Sequence, residues 1–144
     1  MQDDKTTDKE FEYYLEKMCS TRSEDAFFSL LHLGERYIPS LIAAYQNEKN
    51  PSVQALLVEI VWQHRSIKAL SFLGDVLHNP HSEVWQCALD GFAALPNVFS
   101  LDLLQEERQR FLDPLNDKNN CKQATEHVKW IDEIIDKIKQ ELQK

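Results

Sequence analysis

The chain repeats its apolar pattern at an interval of 31 residues. Leu41, Ile42 and Tyr45, followed by Val53, Leu56, Leu57, Ile60 and Val61, return as Phe72, Leu73 and Val76, followed by Val84, Cys87, Ala88, Gly91 and Phe92. Spacings of three and four within each block place these residues on one face of a helix. The polar steps Asn50-Pro51 and Asn79-Pro80 split each unit into two helices, because Pro tolerates the first helical turn and breaks what precedes it. A pair of short helices cannot hide its apolar stripe alone. Neighbouring units must share a core, so the pattern predicts an all-α chain built as an α-solenoid of about three helix pairs.

Composition agrees with a helical domain. Hydrophobic residues make up 42% and charged residues 28%, with only 3 Gly and 5 Pro among 144 residues, which disfavours disorder and turn-rich sheets. The length fits one domain spanning 1–144, large enough to bury roughly 70% of its extended-chain surface. No long apolar run occurs, and Met1-Gln2-Asp3-Asp4-Lys5 has neither an apolar segment nor a basic leader, so the expectation is a soluble, cytoplasmic protein without membrane contact. Cys19, Cys87 and Cys121 are far apart and odd in number, as reduced thiols are, and Cys87 falls on the apolar stripe as a small core residue.

The pattern extends on both sides of the two clear units. Phe11, Tyr14, Ala26 and Leu30 shifted by the same interval fall on Ile42, Tyr45, Leu57 and Val61, which marks a degenerate first unit with helices from near Asp8 and, capped by Ser23, up to Gly34. The second unit is read as helices 38–46 and 51–64, and the third as 67–78 followed by a helix stopped at Pro96. Gly91, inside that last helix, costs about 1 kcal/mol relative to Ala and is explained by a close helix approach. Beyond 98 the register dissolves into a cap, 99–144, comprising a helix to about Leu112, a polar loop at 113–120 and a final helix from 122 to 142. Val128, Ile131, Ile135, Ile138 and Leu142 alternate at three and four, a seam expected to dock on its own domain rather than form a dimeric coiled coil, leaving a monomer.

Ile38-Pro39-Ser40-Leu41-Ile42-Ala43-Ala44-Tyr45 with Asn50-Pro51-Ser52-Val53, and Leu70-Ser71-Phe72-Leu73-Gly74-Asp75-Val76-Leu77-His78-Asn79-Pro80 with Glu83-Val84, resemble the short HEAT-like repeats of the phycobilin-lyase type. The resemblance covers residues 7–98. It departs from that family where Gln54 and Trp85 stand in place of the usual Arg after the Val, and in the larger residues of the second helices. What it implies is the fold; the scaffold hosts unrelated activities.

Catalytic versions of the scaffold find little support in the residues. HEAT-like hydroxylases bind two irons through repeated His-Glu dipeptides, and this chain has only the reversed Glu126-His127. HEAT-like DNA glycosylases use an acidic residue and aromatics on a basic face, which Trp62, Trp85 and Asp90 could mimic, but the net charge of −8 has the wrong sign for nucleic acid. A lyase remains a fold-level analogy. His78-x-x-His81, with Glu83 or Cys87, is a weak metal motif on a turn, where polar His is common. Neither an enzyme nor a cofactor or metal site is expected.

A binding role fits better. In HEAT-type stacks the second helices line the inner wall, so the positions opposite their apolar stripe form a candidate contact row: Ala55, Glu59 and Trp62 with Gln63 flanking, Gln86 and Asp90 as the equivalents of Ala55 and Glu59, Trp85 beside them, and Glu24 and Phe28 in the first unit. Tryptophans beside carboxylates suit a basic protein partner; alternatively Trp62 and Trp85 fill gaps between units. The expectation is a non-catalytic protein-binding module, an acidic immunity protein that occludes a basic nuclease-type toxin. A general scaffold or adaptor is the alternative, and a lyase- or glycosylase-like enzyme ranks behind both.

Overall fold

A computed structural model describes the backbone of residues 3–112 and 121–144, with side chains for 8–112 other than 68 and for 125–144. The loop expected at 113–120 and the Cys121 thiol lie outside the described residues. The fold is all-α, and no strand occurs among the described residues.

Among the described residues eight α-helices follow one another: α1 (Asp3–Thr21), α2 (Glu24–His32), α3 (Ile38–Asn47), α4 (Pro51–Gln63), α5 (Leu70–Val76), α6 (Ser82–Ala94), α7 (Val98–Leu112) and α8 (Cys121–Leu142). Short 3-10 turns at Glu35–Tyr37 and Ile67–Ala69 lead into α3 and α5. The starts of α2 and α4 follow the capping residues in the sequence. The Ser23 hydroxyl accepts from the Ala26 amide at 3.2 Å, and the Asn50 side chain accepts from the Ser52 amide at 2.9 Å with Pro51 in the first turn. Two helices differ in their bounds from expectation: α1 starts at Asp3, ahead of Asp8, and the helix expected at 67–78 is α-helical only over Leu70–Val76, after the 3-10 turn at Ile67–Ala69.

Packing follows a simple order. Each odd-numbered helix lies against the even one that follows it, and α2, α4, α6 and α8 contact one another in succession. The α4–α6 contact is the most extensive, and Gly91 explains it. A methyl group added there would come within 2.8 Å of Trp62 Cβ and Cγ and 2.9 Å of Leu73 Cδ1, so only glycine lets the two axes approach this closely. Leu30, Leu41, Leu57, Ile60, Val61, Leu73, Val84 and Phe92 form the shared interior, each fully or almost fully removed from water. At about 1.5–3 kcal/mol per large apolar side chain, this is the main favourable contribution to folding.

Polar bridges fix the register between units. Asn79 Nδ2 donates to the Tyr45 hydroxyl at 2.9 Å and to Gln54 Oε1 at 3.2 Å, while Gln54 Nε2 donates to the Glu48 carbonyl at 2.8 Å. Gln54 and Tyr45 therefore tie the turn before α6 to α4 and α3. At the amino-terminal end Phe11 stacks on Tyr37 with centroids 4.5 Å apart, and the Tyr37 hydroxyl donates to Asp8 at 2.7 Å.

The carboxyl-terminal pair docks back on the chain as the isoleucine seam predicts. Ile131, Ile135 and Ile138 of the expected seam are buried, with Ile134 beside them and Val128 half-buried, while Leu142 at its end is 44% exposed; α8 packs on both α6 and α7. Next to this seam runs a column of rings: His78 stacks on Phe111 at 4.8 Å, Phe111 on His127 at 4.6 Å, and His127 lies against Trp85 at 4.1 Å. At one end of the column His78 contacts the buried carboxylate of Glu107, which also accepts from Arg110 Nη1 at 3.0 Å. A buried carboxylate without such partners would be strongly destabilising.

Candidate functional site

Four of the residues expected to form a contact row converge on one groove. Glu24 and Phe28 from α2, and Glu59 and Gln63 from α4, line a hollow of about 230 Å³ together with Arg22, Ser23, Phe27 and Leu56. The local sequence explains the arrangement. On α2 the stripe Ala26, Phe27 and Leu30 turns inward, which drives Phe28 outward, and that ring remains 61% exposed. On α4, Val53, Leu57 and Ile60 face the interior and Glu59 lies at the edge, where Gln63 Nε2 donates to its Oε1 at 3.1 Å. This hydrogen bond occupies part of one carboxylate oxygen and leaves the rest of the group free to accept. The floor is apolar, from Leu56 and Phe27, and carboxylates stand on both walls.

Four other candidates do not join this groove. Trp85 corrects the expectation of an off-core tryptophan: it is only 2% exposed, held against His127 and edge-on to Trp130 at 6.5 Å. The cause is α8, which folds over α6 and covers the ring. Trp62 is half-buried, with its Cβ and Cγ over Gly91, and so fills the gap between α4 and α6, the alternative reading of both tryptophans. Gln86 is half-buried. Asp90 is exposed, but Lys137 of α8 acts on it; partial burial raises its carboxyl above the usual range, and the ammonium opposes that rise. The carboxylate row therefore has its open end at α2 and α4 and a neighbouring cation at α6.

The thiol of Cys87 sits between these halves. Burial pushes it up to about 12; the Trp62 indole acts against the rise, and the carboxylates of Glu59 and Asp90 add to it. Its Sγ donates to the Ala55 carbonyl at 3.4 Å. A thiol so far from its thiolate is no nucleophile at neutral pH, and Cys87 acts as a packing residue. His78 and His81 are not brought together as ligands: the His78 ring is engaged by Glu107, and His81 is exposed at the start of α6. Among the described residues, no three His, Cys, Asp or Glu side chains form a group able to hold a metal ion. None of the helices in the described residues is long and apolar enough to cross a membrane.

A second hollow, of about 540 Å³, went unforeseen. It lies between α1 and α2 and is lined by Glu10, Tyr14, Asp25, Phe28, Ser29, His32 and Leu33. The signal was present, because Asp25, Phe28, Ser29 and His32 are spaced three, one and three apart and share the outer face of α2. Attention to second helices alone misses Glu10 and Tyr14, which come from a first helix. Phe28 is the wall common to both hollows.

No family model, curated protein or solved structure matches the chain.

Proposed function

We propose that the chain is a non-catalytic protein-binding module, a HEAT-like α-solenoid whose docking surface is the groove between α2 and α4. The observation that carries this reading is the convergence of Glu24, Phe28, Glu59 and Gln63 on one apolar-floored hollow. An exposed phenyl ring over an apolar floor, rimmed by carboxylates, has the chemistry of an interface hot spot for a cationic surface. The net charge of −8 adds long-range attraction for such a partner. The order of contacts among α2, α4, α6 and α8 supports the stacked-repeat reading.

Among concrete roles, a small acidic cytoplasmic protein with one such groove fits an immunity protein that covers the active face of a basic nuclease-type toxin. Neutralisation is then occlusion: the toxin's cationic substrate-binding surface sits in the groove and cannot reach phosphate. Co-expression with the product of the adjacent open reading frame tests this. A one-to-one complex that restores growth is the expected result, whereas an adjacent product that is neither toxic nor bound contradicts the immunity role.

A general adaptor is the second reading, and one observation favours it. On α7, Phe99 is 67% exposed and lines a further hollow with Asp102, Leu103 and Glu106, which gives the molecule room for an additional partner.

A further inference from the structure

We propose that Phe28 is a stacking platform for an arginine of the partner, and that the partner segment crossing it carries two cationic side chains, one for each hollow. The inference rests on the reading of the α2–α4 groove as the docking surface. It extends that reading to the α1–α2 hollow and to a particular side chain.

Three observations lead to it. Phe28 is the shared wall of both hollows, so a chain lying across it has access to each. Its ring is fixed by an edge-to-face contact with Phe27, with centroids 5.5 Å apart and planes at 83°, which leaves a preorganised aromatic surface in water. Carboxylates flank it on both sides, Glu24 and Glu59 in one hollow and Glu10 and Asp25 in the other. A planar guanidinium can lie on a phenyl face and at the same time direct its N–H fork at a carboxylate, while an ammonium is a compact, strongly hydrated point charge that does so less well. The charge sign excludes a phosphorylated or acidic segment as occupant. Arg22 stands at one end of the α2–α4 groove and repels a cation there, which directs the partner's arginine toward Phe28 rather than toward the α1–α2 turn.

The test uses the full chain and a synthetic alanine-based helical peptide with two arginines four residues apart, against the same peptide with lysines. Binding is followed by calorimetry and by NMR of the Phe28 ring. The arginine peptide is expected to bind several-fold more tightly than the lysine peptide at low salt, with about 30-fold, the worth of a whole desolvated cation–π contact, as the upper bound. Phe28→Leu removes that preference and Phe28→Tyr restores it. Because Phe28 is exposed, an unchanged circular dichroism melt confirms that the variants fold. Phe99→Ala leaves the binding as it was.

Equal binding of the two peptides, weakened by Glu24→Gln with Glu59→Gln but not by Phe28→Leu, overturns the arginine platform and leaves the groove reading standing. Binding of neither peptide also overturns the platform; the groove reading is then decided by the complex with the adjacent gene product. Binding lost in Phe99→Ala and kept in every groove variant overturns both.

Discussion

The hollow between α2 and α4 and the surface where α8 covers α6 began as one pattern and ended differently. Both second helices, α4 and α6, present a carboxylate opposite their apolar stripe, Glu59 in one and Asp90 in the other, exactly one repeat interval apart. At α4 the neighbour is the short helix α2, whose exposed Phe28 and Glu24 leave the groove open. At α6 the neighbour is the long helix α8, whose isoleucine seam docks beside Trp85 and whose Lys137 acts on Asp90. Glu59 lines an open groove, whereas Asp90, though exposed, faces the Lys137 ammonium of α8 and lines no hollow with Glu59. A solvent-facing position on one helix is thus no guide to the position 31 residues on, where a different helix lies alongside.

The largest expected effect of this difference is on stability. Trp85→Ala should lower the unfolding free energy by about 3–5 kcal/mol, as removal of a buried aromatic does, while Phe28→Ala should change it by no more than about 0.5 kcal/mol. Urea melts of the two variants compare the two ends directly. Similar costs for both would mean that the ends are not different in kind.

Gly91→Ala sharpens the boundary between the halves. Helix propensity gains about 1 kcal/mol from the change, but the added methyl meets Trp62 and Leu73 within 2.9 Å, and overpacking costs of about 1–3 kcal/mol are the rule. A net loss in a thermal melt is predicted; a gain would show that α4 and α6 do not approach this closely.

Cys87 offers a chemical probe of the same boundary. With its thiol pushed up to about 12, native protein at pH 8 should leave Cys87 unalkylated by iodoacetamide over times that label it fully in urea. Mass spectrometry of the labelled peptide reads the result, and rapid native labelling would contradict the packing described.

Asp90→Asn carries the smallest effect. Because burial raises the folded carboxyl above its unfolded value, the folded state binds more protons in the window between the two; stability is greatest below the unfolded value and declines as pH rises through the folded one. At pH 7 the amide should therefore be neutral or stabilising, within about 0.5 kcal/mol, with any gain vanishing near pH 3. A clear loss at pH 7 would instead make the Asp90 and Lys137 attraction the larger influence.

Much of this architecture was legible in the residues, for local reasons. Ser23, Asn50 and Pro51 mark helix starts through their own backbone chemistry, and the spacing of Ile131, Ile135 and Ile138 announces a seam. Gly91 was readable too, because a glycine inside a helix needs a neighbour that requires it. Trp85 was misread because its burial depends on α8, some forty residues on, and helical periodicity within α6 says nothing about what folds over it. The groove was half legible: Glu24, Phe28, Glu59 and Gln63 follow from the face opposite each stripe, whereas Glu10 and Tyr14 depend on how α1 lies against α2.

The most direct measurement compares two double charge reversals in their affinity for the basic partner proposed above. Glu24→Lys with Glu59→Lys alters the open groove, and Gln86→Lys with Asp90→Lys alters the face of α6 beside α8. The account predicts a loss of at least a hundredfold, about 2.7 kcal/mol, for the first pair and less than threefold for the second. Equal losses, or a greater loss from the second pair, would contradict it.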